Sequence, residues 1–112
     1  MFARVNPKDA KALLTKVTVI DVREHGEFVQ GHLPGALRMS LADLRECKLE
    51  ALPEGPLLFV CAGGVRSETA ARVAEALGVE KVYSLVGGTK SWVKAGFRVV
   101  REAPSTRRVA AA

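Results

Sequence analysis

Pro56-Leu57-Leu58-Phe59-Val60-Cys61-Ala62-Gly63-Gly64-Val65-Arg66-Ser67 decides how the rest of this 112-residue chain is read. The apolar run from Pro56 to Val60 has the length and content of a short buried strand. Glu68 to Leu77 reads as a helix, with Ala70, Ala71, Val73, Ala74 and Leu77 on one face and Glu68, Arg72 and Glu75 outside it. Gly78 supplies the stop. A strand that ends in a cysteine, turns through two glycines and feeds a helix directs backbone N–H groups and a helix dipole at one sulfur. Arg66 adds a fixed positive charge, so the loop suits a nucleophilic sulfur and an anionic substrate.

Working outward, the same alternation recurs. Asn6 before Pro7 is an N-cap and first-turn pair, which predicts a helix over Pro7 to Leu14. Val17-Thr18-Val19-Ile20-Asp21-Val22 is a β-branched run of the kind buried on both faces of a sheet, with Asp21 and Arg23 at its carboxyl end. Glu24 to Val29 predicts one or two helical turns stopped by Gly31, and Leu33-Pro34-Gly35-Ala36 a tight turn. A weak strand follows over Ala36 to Met39. Ser40 to Asp43 then opens a helix with a variant capping box, ending near Cys47 to Leu49. Beyond the opening stretch, Val82 to Val86 reads as a strand, Gly87-Gly88 as a turn, Thr89 to Ala95 as a helix and Phe97 to Val100 as a last strand or edge segment. Short loops between alternating strands and helices imply an α/β fold with a parallel sheet covered on both faces. Ligands of such sheets bind beyond the strand carboxyl ends, where Asp21, Arg23, Cys61 and Gly87-Gly88 gather.

Bulk properties narrow the classes. The length suits one domain, read as residues 1–102, with 103–112 lacking a core-forming pattern and read as a mobile tail. With 48% hydrophobic and 26% charged residues the composition is that of a globular protein. No run approaches the roughly 20 apolar residues of a membrane span, and the first residues lack a secretory apolar segment, so a cytoplasmic setting without membrane contact is expected. The net charge of +5 is dispersed, because 17 basic residues are interleaved with 12 acidic ones; nucleic-acid binding is not expected. Two cysteines, Cys47 and Cys61, are too few for a disulfide framework. Even with His25 and His32 they match no known zinc spacing, so no metal site is expected.

Three ordered motifs carry a resemblance. Val19-Ile20-Asp21-Val22-Arg23-Glu24 with Glu27-Phe28 and Gly31-His32-Leu33-Pro34-Gly35-Ala36 is the first; Val60-Cys61 with Gly64, Arg66 and Ser67 is the second; Leu85-Val86-Gly87-Gly88 with Trp92 and Gly96 is the third. From Asn6 to Val99 the chain resembles the single-domain rhodanese (thiosulfate sulfurtransferase-like) family. The resemblance implies a rhodanese-like fold, a central parallel sheet of about five strands with helices on both faces. It implies that Cys61 is the nucleophile that accepts a sulfane sulfur and becomes a persulfide, and that the backbone of Ala62, Gly63, Gly64, Val65, Arg66 and Ser67 forms the substrate-binding cradle. Arg66 would orient the donor's anionic end and Ser67 start the helix.

Asp21 and Arg23 resemble a supporting pair, His32 a turn-stabilising hydrogen-bond partner, Trp92 a core residue, and Cys47 a structural thiol. The implied partners are a small anionic sulfur donor and a thiol or cyanide acceptor, with a protein acceptor as an alternative; no cofactor is implied. Phosphatases and arsenate reductases share the fold but place the arginine six positions after the cysteine, whereas Arg66 stands five after Cys61. The shorter loop suits one sulfur better than a phosphate. Some thiosulfate-active members carry a cation two residues after the cysteine, where this chain has Gly63, and that leaves the donor open.

Overall fold

Strands and helices alternate along the computed structural model, which describes residues 1–101. They run β1 (Ala3–Val5), α1 (Pro7–Leu13), β2 (Thr18–Asp21), α2 (His25–Val29), β3 (Leu37–Arg38), α3 (Leu41–Glu46), β4 (Leu57–Val60), α4 (Val65–Leu77), β5 (Val82–Leu85) and α5 (Gly88–Lys94), with a 3-10 turn at Leu49–Ala51 before β4. The strands form one sheet in the order β1-β5-β4-β2-β3, and every pairing is parallel. The expected architecture is therefore the observed one.

The apolar run of the opening stretch lies at the centre because both of its faces are buried. Leu57 and Phe59 point to one side, with Ile20, Leu44 of α3 and Ala70, Ala71 and Ala74 of α4. Leu58 and Val60 point to the other, with Val19, Ala10 of α1, Phe28 of α2 and Trp92 of α5. Alternating side chains thus serve two cores, and the alanines of α4 let that helix approach the sheet closely. From β2 the chain moves outward to β3 on one side, whereas from β4 it moves to β5 on the other. The carboxyl ends of the adjacent strands β2 and β4 therefore flank a switch point, where crevices form in such sheets.

Local signals set several boundaries. Asn6 caps α1 by accepting from the Asp9 N–H at 2.8 Å, and Ser40 caps α3 by accepting from the Asp43 N–H at 3.2 Å. Gly78, at φ +113°, ends α4.

Two expectations are corrected. Phe97 to Val100 is not a strand; Val100 makes an isolated antiparallel bridge with His32. The sheet position beside β5 belongs to Ala3–Val5, whose register pairs Ala3 with Tyr83 and Val5 with Leu85. A three-residue, largely exposed edge strand carries no hydrophobic pattern, so only pairing reveals it. In addition, α4 begins at Val65, ahead of the Ser67–Glu68 start read from the sequence, which puts Arg66 and Ser67 in its first turn. The tail read as 103–112 lies outside the described residues.

Candidate active site

Cys61 follows directly on the last residue of β4, and its side chain belongs to the buried core at 1% exposure. The chain then turns through Ala62-Gly63-Gly64 into α4. Gly64 is the N-cap, at φ +101°, and a Cβ there would lie 2.9 Å from the Gly87 nitrogen. Handedness and space both require glycine at this position. With no side chain at the cap, the sulfur takes the capping role: the Gly64 N–H donates to Cys61 Sγ at 3.0 Å and the Ser67 N–H, at the third helical position, at 3.3 Å. The positive end of α4 thus points at the sulfur.

The opposite face of the loop is held by its carbonyls. Cys61 O accepts from the Thr89 N–H at 2.8 Å and from Thr89 Oγ1 at 3.2 Å, and Ala62 O accepts from the Lys90 N–H at 3.1 Å. Ser67 Oγ donates to Gly64 O at 3.2 Å and meets Ser84 Oγ of β5 at 2.9 Å. The first turn of α5 and the Ser67 hydroxyl turn these carbonyls away from the sulfur, which leaves N–H groups facing it. Gly88 makes the contact with α5 close: a Cβ there would lie 2.3 Å from Cys61 O and 2.5 Å from Ala62 O.

Arg66 reaches out of α4 to α2. Its two terminal nitrogens donate to Glu27 Oε1 at 2.9 Å and Oε2 at 3.0 Å, a bidentate pair that is little more than one-third exposed. Glu27 also accepts from the Glu24 N–H at 3.1 Å, closing a capping box at the start of α2. The Arg66 hydrogen bonds are the main reason the Glu27 carboxyl is held down to about 2, and the same contact raises Arg66. In the sequence Glu27 stands within the first motif without a role of its own, and the Glu24–Glu27 capping spacing is the signal that marks it.

Asp21 and Arg23 form a second, buried pair. Arg23 donates to both Asp21 oxygens at 2.8–3.2 Å and to Gly31 O at 2.8 Å, and the Arg23 N–H donates to Asp21 Oδ1 at 3.0 Å. Asp21 is in register with Val60, the residue before Cys61, so the pair stands beside the loop, while Sγ accepts from the Gly64 and Ser67 N–H groups. His32 stacks on Phe28 with ring centroids 3.7 Å apart and its Nδ1 2.9 Å from Phe28 O. Trp92 is buried, with its indole N–H donating to Arg98 O at 2.8 Å. Cys47 packs against the same core cluster that contains Cys61, and burial pushes its thiol up.

Beside the loop a shallow depression of about 380 Å³ is lined by Arg23, Ala62, Thr89, Lys90 and Val93. A larger cleft of about 630 Å³ opens at the other end of the sheet, where Pro56 and Lys81 precede β4 and β5; no cysteine, serine or histidine lines it. The smaller space is the one that adjoins the loop, through Ala62, while Cys61 itself lies buried behind it. Among the described residues no helix is long and apolar enough to cross a membrane.

Comparison with known proteins places this geometry in context. The family model for the rhodanese-like domain matches residues 6–95. The chain is 32% identical over 94 residues to the thiosulfate sulfurtransferase GlpE of Coxiella burnetii, covering 82% of this chain and 88% of that one. A rhodanese-related protein from Thermoplasma volcanium superposes with a TM-score of 0.83 at 30% identity, over 90% of this chain and all (100%) of that one. A protein of unknown function from Rhodopseudomonas palustris, described as a possible tyrosine phosphatase, superposes with a TM-score of 0.79 at 27% identity, over 88% and 85% of the two chains.

Proposed function

The chain belongs to the rhodanese-like family, and from that premise we propose that it is a sulfurtransferase working through a persulfide on Cys61. The observation that carries this reading is the sulfur at the carboxyl end of β4, facing the Gly64 and Ser67 N–H groups at the start of α4. In the first half-reaction the Cys61 thiolate attacks the outer sulfur of thiosulfate or of another persulfide or polysulfide donor. A sulfur–sulfur bond forms at Cys61, the donor's bond to its outer sulfur breaks, and the leaving group departs with the electron pair, as sulfite when thiosulfate is the donor. The terminal persulfide sulfur then lies where the loop N–H groups stabilise negative charge. In the second half-reaction cyanide or a thiol attacks that sulfur and Cys61 leaves as thiolate, which gives ping-pong kinetics.

Arg66 stands at the mouth of the loop paired with Glu27, while Asp21 and Arg23 support the end of β2 beside it. A cytoplasmic setting, where thiols stay reduced, fits this chemistry.

The surface around the loop favours one variant of this reading. Val65, Val86 and Val93 are 78%, 49% and 53% exposed, unusual for large apolar side chains, and they lie on the segments that surround Cys61. Such a rim suits a protein thiol as acceptor, making the chain a persulfide carrier. The phosphatase reading, raised by the description of the Rhodopseudomonas neighbour, is weakened by the five-residue step to Arg66 and by the engagement of that guanidinium with Glu27.

The test is intact mass after incubation with thiosulfate or polysulfide. Wild type is expected to gain the mass of one sulfur atom and Cys61→Ala none. No gain with any sulfur donor, alongside hydrolysis of an aryl phosphate, would reverse the ranking.

A further inference from the structure

The two arginines nearest the loop are both paired with carboxylates. Arg23 is neutralised by Asp21 and Arg66 by Glu27, each through a bidentate contact. Closest to the sulfur, what attracts an anion is the pair of N–H groups at Sγ and the positive end of α4; Arg38 stands farther off, at the end of β3 with its guanidinium 3.4 Å from Arg23 O, and Lys90 is exposed in the adjoining depression where solvent screens it. The two donor classes make different demands on that site. With thiosulfate, a dianion approaches an anionic sulfur and a sulfite dianion must leave. With an alkyl hydropersulfide the thiolate attacks the terminal sulfur, the Cys61 S–S bond forms, the donor S–S bond breaks, and one alkyl thiolate leaves with the electron pair while the proton remains on the transferred sulfur. The first route needs an uncompensated cation at the mouth; the second does not.

We propose, on the premise that Cys61 carries sulfur as a persulfide, that Glu27 is a specificity-determining residue. By occupying both arms of the Arg66 guanidinium it removes the cation a dianionic donor would use, and so tilts the site toward organic persulfides of low charge. Glu27 acts through Arg66 and touches neither the sulfur nor the donor. The arrangement is built in rather than incidental, because Glu27 is fixed by the α2 capping box on one side while its carboxylate spans the gap to α4 on the other.

The full-length chain, as wild type, E27Q, E27S and E24Q, is loaded in single turnover with thiosulfate or with an alkyl hydropersulfide, and the rate of persulfide appearance on Cys61 is followed by intact mass. Glu27→Gln is expected to raise the ratio of thiosulfate to alkyl-persulfide loading about tenfold, the effect of one new charge-assisted hydrogen bond between Arg66 and the donor. The effect should shrink as ionic strength rises. Glu27→Ser should move the ratio the same way, which covers the case in which the glutamine re-forms a neutral hydrogen bond with Arg66. Glu24→Gln removes the same charge from the same helix start without touching Arg66, and should change the ratio by less than about twofold. An unchanged or lowered ratio in folded E27Q and E27S overturns the proposal, as does an equal shift in E24Q. Wild type that loads from neither donor would instead remove the persulfide premise, an outcome distinct from these.

Discussion

At the residue scale the Cys61 sulfur is defined by which groups face it. Cys61 Sγ stands where an N-cap side-chain oxygen would stand, and accepts from the N–H that such an oxygen would satisfy. Arg66→Ala takes away the partner of Glu27 and leaves that carboxylate bare at the mouth, where it repels an anionic donor. The expected loss in kcat/KM with thiosulfate corresponds to about 1–3 kcal/mol of transition-state binding. Unchanged kcat/KM would remove Arg66 from the reaction. Glu27 also sets a pH dependence: its carboxyl lies at about 2 when folded against 4.5 ordinarily, chiefly through the Arg66 hydrogen bonds. A depressed folded value means the pair's contribution is full above about 4.5 and is lost as pH falls toward about 2. Because the pair is partly exposed, that contribution should stay under about 1 kcal/mol. Urea midpoints of wild type and Glu27→Gln should therefore differ slightly near neutral pH and converge through that acid window.

At the scale of elements, the loop is shaped by the docking of α5 as much as by its own glycines. Gly88, at φ +63°, brings the first turn of α5 onto the Cys61 and Ala62 carbonyls with no room for a Cβ. Gly88→Ala should cost about 1–3 kcal/mol of stability through backbone strain and slow sulfur loading more than tenfold, because the carbonyls it displaces set the direction of the N–H groups. Gly63 offers the contrast: nothing lies within 4 Å of a Cβ there. Gly63→Ala should stay within about 0.5 kcal/mol of wild type in urea unfolding. The two loop glycines look alike in the sequence, and Gly87-Gly88 reads only as a turn. What separates them is contact between segments far apart in the chain.

At the scale of the whole molecule, one sheet with a core on each face should unfold as a unit. Phe59 is fully buried on the α3–α4 side, and the single tryptophan, Trp92, is buried on the other. Phe59→Ala should cost about 3–5 kcal/mol, a large share of the roughly 5–15 kcal/mol available to a domain. Tryptophan fluorescence and far-ultraviolet circular dichroism should report the same lowered urea midpoint. Separate midpoints would mean that the two faces unfold independently.

The alternation of apolar runs with amphipathic helices determined the parallel α/β sheet, and the motif around Cys61 determined which strand end carries the thiol that faces a helix start. Both are written in local pattern: a strand buried on both faces must be apolar throughout, and a helix start after a glycine turn must present its N–H groups. Only the tertiary structure decided that Ala3–Val5 rather than Phe97 to Val100 forms the outer strand, since an exposed three-residue edge is specified by its partner and not by its own side chains. Only it decided that Arg66 is held by Glu27, 39 residues earlier in the chain. Such a pairing depends on where α2 and α4 come to rest against the same sheet, and no periodicity records that.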